Sequence, residues 1–138
     1  MSFRLSCFLF LLLLATNGVL ADVIRDGTLR AESQSAGVLV QWTSDNETNV
    51  DGYLIERTIA GNPDAFITIQ RMGVRGAGVR YTYLDDTAFK TTDAFYRYRV
   101  TPLDASGNVV GAVKYTQLIR SSVSSVRRTW GSIKAMFR

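Results

Sequence analysis

Apolar and polar residues alternate with a period of two in short runs along most of this chain. The runs fall at residues 28–31, 38–43, 53–58, 66–71, 81–85, 95–103 and 110–118, and are rich in β-branched and aromatic residues. Clusters of Gly, Asn, Asp and Ser separate them, and a half-buried strand between turns has this signature. No stretch of this region repeats with a helical period, so the body is predicted to be all-β with seven strands, the number of a two-sheet sandwich. Alternation also assigns faces. Tyr96, Tyr98 and Val100 share one side of their run while Arg97 and Arg99 share the other, which gives a buried aromatic face backed by a basic outer one. By the same parity Tyr53 and Ile55 point inward and Glu56 outward. If the two strands are neighbours, Glu56 pairs with Arg97 or Arg99 in an exposed ion pair worth well under about 1 kcal/mol.

The pattern changes near the C-terminus. Val123, Val126, Trp130, Ile133 and Phe137 recur at spacings of 3, 4, 3 and 4, which on a helix of about 100° per residue places them within an arc of about 80°. Arg127, Lys134 and Arg138 run along one flank of that arc, and Ser124 or Ser125 is placed to cap its start. The expectation is a basic amphipathic helix after a Ser-rich linker. With Gly131 and two valines it is marginal alone in water. Burying five large side chains contributes up to roughly 7–15 kcal/mol before ordering costs, so the helix forms when it meets a surface. That surface is its own domain, a protein partner or an anionic membrane.

The first 21 residues read as a secretory signal. Arg4 gives a weak positive start, Leu5 to Leu14 an apolar run, and Val19-Leu20-Ala21 a small-residue cleavage site before Asp22. Thr16, Asn17 and Gly18 interrupt the run before it reaches the roughly 20 apolar residues of a membrane-spanning helix. The domain plan is therefore a leader at 1–21, a β-body at 22–119 and a linker with helix at 120–138.

Composition narrows the chemistry. The 138 residues include no histidine and one cysteine, Cys7, which lies inside the leader. A histidine-dependent triad, a Cys/His zinc site, a histidine-ligated haem and an intramolecular disulfide framework all lose their residues. The net charge of +4 is unevenly placed: residues 22–119 hold 10 basic and 12 acidic side chains, whereas residues 120–138 hold 5 basic and none acidic. The basic character belongs to the tail, and a nucleic-acid-binding body is not expected.

Several stretches together resemble a known family. Val38-Leu39-Val40-Gln41-Trp42, Gly52-Tyr53-Leu54-Ile55-Glu56-Arg57, and Tyr96-Arg97-Tyr98-Arg99-Val100 followed by Leu103-Asp104-Ala105-Ser106-Gly107 are similar to a fibronectin type III domain of the kind found in bacterial exported proteins. The likeness spans roughly residues 29–118. It implies a seven-stranded immunoglobulin-like sandwich in which Trp42 packs across the core, Tyr96 makes a tyrosine corner and Phe89 fills the apolar slot before it. Trp42, Tyr53, Tyr96 and Tyr98 are the expected core aromatics. The segment 89–95 departs from the family pattern: it is about one residue longer than the usual corner and lacks its Pro-Gly.

Acidic residues are the remaining catalytic candidates, and none makes a site. Asp85 and Asp86 are adjacent, so on a strand their carboxylates point to opposite faces, unlike the facing pair of a glycosidase; they read as a strand-end turn. Asp45, Glu47 and Asp51 match no calcium motif and read as solvated loop residues. The loop 71–80, with Gly73, Gly76 and Gly78, opens no helix and so is a flexible connection rather than a phosphate cradle. Its arginines Arg71, Arg75 and Arg80 offer a cationic cluster to an acidic sugar or partner. Asn46-Glu47-Thr48 is a glycosylation sequon. No cofactor or metal is expected, and neither is an enzyme. The sequence points to an exported module that binds a protein partner through Val123, Val126, Arg127, Trp130, Ile133, Lys134, Phe137 and Arg138. One alternative is a β-domain carried by a membrane-surface or sorting segment. Another is a carbohydrate-binding module, for which the sequence displays no aromatic platform.

Overall fold

The computed structural model describes residues 22–60, 62, 64–90 and 94–120, the side chains of 89 and 90 excepted. The expected leader at 1–21 and helix within 120–138 therefore lie outside the described residues, apart from Arg120. Eight strands are described: β1 (Arg30–Gln34), β2 (Gly37–Thr43), β3 (Gly52–Ile59), β4 (Ile67–Gly73), β5 (Arg80–Asp85), β6 (Phe95–Leu103), β7 (Lys114–Tyr115) and β8 (Ile119–Arg120). One 3₁₀ turn, Asp86–Lys90, follows β5. The fold is all-β, in two antiparallel sheets: β1-β2-β5, and β4-β3-β6-β7 with β8 also on β6.

Inward positions of the alternating runs meet between the sheets. Val38, Val40, Trp42 and Tyr81 come from the smaller sheet, and Tyr53, Ile55, Tyr96, Tyr98 and Val100 from the larger; all are buried. Trp42 and Tyr81 are register partners across β2 and β5 and stack with centroids 5.1 Å apart at 3°. Tyr53 then meets Trp42 edge-on from the opposite sheet, 5.4 Å away at 62°. Aromatic pairs of this kind contribute about 0.5–1.5 kcal/mol each beyond the area they bury, so this trio fixes how the two sheets sit on one another.

Two predicted strands differ from those observed. The first lies at Arg30–Gln34 rather than 28–31, because Thr28 is spent on a turn. Its backbone N–H and hydroxyl both donate to the Arg25 carbonyl, and Gly27 supplies the positive φ of 70°. The run 110–118 is divided into β7 and β8. Gly111, at φ 71°, delays its start. Thr116 then breaks the ladder: its hydroxyl accepts the Tyr98 N–H at 3.0 Å, while its carbonyl turns to accept the Arg97 Nε–H at 3.2 Å. A side chain thus does the work of a backbone acceptor, and regular pairing resumes only at Ile119.

Candidate functional site

Three of the polar groups formed by the described residues bear on function, and the first and third of them begin with strand parity. The first crosses the core. Arg57 falls in the inward register of Tyr53 and Ile55, and Asp85 in the inward register of Tyr81. Arg57 Nη1 donates to Asp85 Oδ2 and, at 2.9 Å, to the Thr87 hydroxyl. Tyr98 Oη donates to the same Asp85 oxygen at 2.8 Å, and Thr87 gives Asp85 Oδ1 both its N–H (3.1 Å) and its hydroxyl (2.7 Å). Burial acts to raise the Asp85 carboxyl's pKa, but the bonds from Thr87, Arg57 and Tyr98 outweigh it and hold the group below the usual carboxylate range. Burial together with the Asp85 charge drives the Tyr98 phenol upward. This is an inter-sheet staple with no opening for a substrate: Asp85 has no exposed side-chain surface. Asp85 does lie at a strand end, as expected, while its neighbour Asp86 is exposed.

The second group closes one end of the molecule. Glu47, expected to be a solvated loop residue, accepts the hydroxyls of Tyr53 at 2.8 Å and Tyr81 at 2.5 Å, and its other oxygen accepts the Gly76 N–H at 2.6 Å. Ser44, fully buried, donates its hydroxyl to the Gly76 carbonyl at 2.7 Å and accepts the Val79 N–H at 3.1 Å. The 74–79 connection, expected to be flexible, is therefore pinned at both ends. Burial and the Glu47 hydrogen bond push the Tyr81 phenol up to about 12. Asp45 and Asp51 do not join Glu47 in a calcium site, because each pairs with an arginine: Asp45 with Arg25 at 3.3 Å, Asp51 with Arg71 at 3.0 Å. Among the described residues no group of three or more acids could hold a metal ion.

The third group lies on the outer face of the larger sheet. Glu56 and Arg99 are register partners across β3 and β6. Arg99 Nε reaches Glu56 Oε2 at 2.5 Å and Nη2 reaches Oε1 at 2.8 Å, a bidentate fork. The sequence reading placed this pair at the exposed surface, but Glu56 is only 7% exposed. Phe66 packs on the other member of the pair, with the Arg99 guanidinium 4.3 Å from its ring centroid. Tyr115 sits edge-on to Phe66 at 5.9 Å and carries the Arg97 guanidinium over its own ring at 5.0 Å. The result is a continuous series Arg97, Tyr115, Phe66, Arg99 and Glu56 across three strands and the residue before β4.

Other expected sites are dispersed. Arg71 is committed to Asp51 and Arg75 lies 5.6 Å over Tyr81, so the arginines of the 71–80 loop act one by one. An open cleft of about 470 Å³ runs between Val23, Asn46, Asn49, Asp104 and Val110, but its polar atoms are spent locally. Asp104 accepts the Ser106 and Asn108 backbone N–H groups, and Asn46 Oδ1 accepts the N–H and hydroxyl of Thr48. Trp42, Tyr53, Tyr96 and Tyr98 are all buried. The corner expected for Tyr96 involves residues 91–93, and the Phe89 side chain belongs with them; both lie outside the described residues, as do Val123, Val126, Arg127, Trp130, Ile133, Lys134, Phe137 and Arg138. Among the described residues no helix is long and apolar enough to cross a membrane. No protein-family model matches the chain, and no curated protein matches its sequence.

Proposed function

We propose that the chain is an exported, non-enzymatic binding module: a fibronectin type III-like sandwich whose C-terminal segment engages a protein partner in a surface or envelope assembly. One observation carries the reading. Among the described residues the buried core is made of side chains between Val23 and Val100, with Ile119 packed at its margin. A helical stripe of Val123, Val126, Trp130, Ile133 and Phe137 would bring its own large burial energy to a partner surface. Two antiparallel sheets, β1-β2-β5 and the five-stranded sheet of β4-β3-β6-β7 with β8 on β6, support this reading, as does the packing of Trp42 against Tyr53 of the opposite sheet. The expected leader at 1–21 supplies the route to the envelope or beyond.

Removing residues 121–138 tests this, because Arg120 is the last residue of the described sheet. The shortened chain is expected to remain soluble with an unchanged melting temperature and to lose the partner that co-purifies with the full chain. Photocrosslinking from positions 130 and 137 of the full chain is expected to trap the same partner. An unfolded truncation product would assign the stripe to the domain's own core instead.

The charge of the tail supports a second reading, in which it lies on an anionic membrane: residues 120–138 hold five basic side chains and no acidic one. In that case vesicle binding falls as salt rises and in Arg127→Glu, Lys134→Glu and Arg138→Glu variants. Binding indifferent to both rejects it.

A further inference from the structure

The outer face of the larger sheet has features that core packing does not account for. Among the described residues its acids are paired: Glu56 with Arg99 and Asp51 with Arg71. Arg97 differs. Its Nε donates to the Thr116 carbonyl at 3.2 Å, which fixes the guanidinium over Tyr115 and leaves its two terminal nitrogens without a partner among the described residues. Beside it, Tyr115 is 46% and Phe95 45% exposed, and Phe95 shares the outward parity of Arg97 on β6. Large rings at that exposure cost free energy in water unless something covers them.

We propose that this face, centred on Arg97 and Tyr115 with Phe95 at its margin, binds an acidic polysaccharide, a chain of pyranose rings bearing carboxylates. The ligand is distinct from the partner proposed for the C-terminal segment. Two physical points select the ligand. A guanidinium held by its Nε presents its terminal N–H pair as a preformed fork for a carboxylate. The half-exposed rings of Tyr115 and Phe95 suit a pyranose, which is apolar on one side and hydroxylated at its rim, for the same reason that Tyr suits half-wet interfaces. The protein's own tail is the wrong occupant by charge: residues 120–138 carry only basic charges, which Arg97 repels. Glu56 and Phe66 serve as positioning residues. Glu56 neutralises Arg99 and Phe66 braces Tyr115, so that Arg97 is the cation left to meet an anion.

Affinity electrophoresis of the full chain through gels containing polygalacturonate, dextran or neither tests the proposal, with single-stranded oligothymidylate as a competing polyanion. Polygalacturonate is expected to retard the protein and dextran not to. Arg97→Gln and Tyr115→Ala are each expected to weaken the retardation by about tenfold, equivalent to about 1.4 kcal/mol. Arg97→Lys is expected to lose nearly as much as Arg97→Gln, because it keeps the charge and removes the fork. A triple variant Arg127→Gln, Lys134→Gln, Arg138→Gln is expected to keep the part of the retardation that depends on Arg97. Both face residues are exposed, so unchanged melting temperatures show that the variants fold. The proposal is overturned if the face variants bind as the wild type does, if the tail variant alone abolishes retardation, or if oligothymidylate competes fully at equal charge.

Discussion

Arg57 of β3 and Asp85 of β5 form an ion pair across the core, joining the two sheets at a point where Asp85 has no exposed side-chain surface. Tyr98 and Thr87 complete the carboxylate's shell. Such a pair contributes little when weighed against an apolar replacement, yet removing one partner strands a buried charge. Asp85→Ala is therefore expected to cost about 3–5 kcal/mol of stability, whereas a paired replacement, Arg57→Met with Asp85→Leu, recovers most of it. Urea denaturation of both singles and the double variant measures the coupling. Additive losses would mean that the two residues act independently.

The same carboxylate sets an acid limit. Its folded-state pKa is lowered, so the unfolded chain binds a proton more readily than the folded one. The stability it contributes is complete above the unfolded carboxylate value of about 3.9 and is lost as pH falls through the folded value beneath it. Melting temperature is expected to fall below about pH 4, and Asp85→Asn, though less stable throughout, is expected to show a shallower fall. Parallel profiles would assign acid unfolding to other carboxylates, such as Asp104, which is lowered chiefly by the Asn108 backbone N–H.

Strand parity made the sheets legible. The run 95–103 coincides with β6, and outward parity limited the partner of Glu56 to Arg97 or Arg99, of which the register selects Arg99. Burial of polar residues was not legible, because it depends on partners brought from elsewhere in the chain. Asp85 is satisfied by Arg57, 28 residues away, and Glu47 by Tyr81, 34 residues away. A signal was present for the first of these: Arg57 continues the inward series of Tyr53 and Ile55, and a lone cation on an apolar face needs an anion from the opposite sheet. For Glu47, a loop residue without parity, no comparable signal exists. The aromatic platform was missed for another reason. Phe66 precedes its strand and Tyr115 lies in the broken run after Gly111, so their adjacency required the observed topology.

Gly37 begins β2 where the chain passes close to the end of β5. A Cβ at this position would lie 2.5 Å from the Asp85 carbonyl oxygen and 2.9 Å from its carbonyl carbon. Both are backbone atoms, so relief requires the strands to part at the point where Asp85 is positioned for Arg57. Gly37→Ala is expected to destabilise by about 1–3 kcal/mol, the usual range for an overpacked site. Gly73→Ala, where nothing lies within 4 Å, is the matched control and is expected to stay near the wild type in thermal melts. Equal melting temperatures for the two variants would show that β2 and β5 separate freely.

Glu47 ties the loop after β2 to the 74–79 connection by accepting two tyrosine hydroxyls and the Gly76 N–H. Glu47→Ala would leave both phenols without that acceptor in a half-buried setting, at a cost of about 1–3 kcal/mol. Its more specific effect concerns Tyr81. Burial is the largest cause of that phenol's elevation to about 12, with the Glu47 hydrogen bond next, so Glu47→Gln is expected to lower the titration midpoint without returning it to the usual value near 10. Amide exchange at Gly76, whose N–H loses a charged acceptor, is expected to accelerate, while exchange within β6 is unchanged because the core strands remain paired. Tyrosine-selective NMR titration and hydrogen exchange on the same variant separate these effects. An unmoved Tyr81 midpoint combined with unchanged Gly76 exchange would mean that Ser44 alone holds the connection.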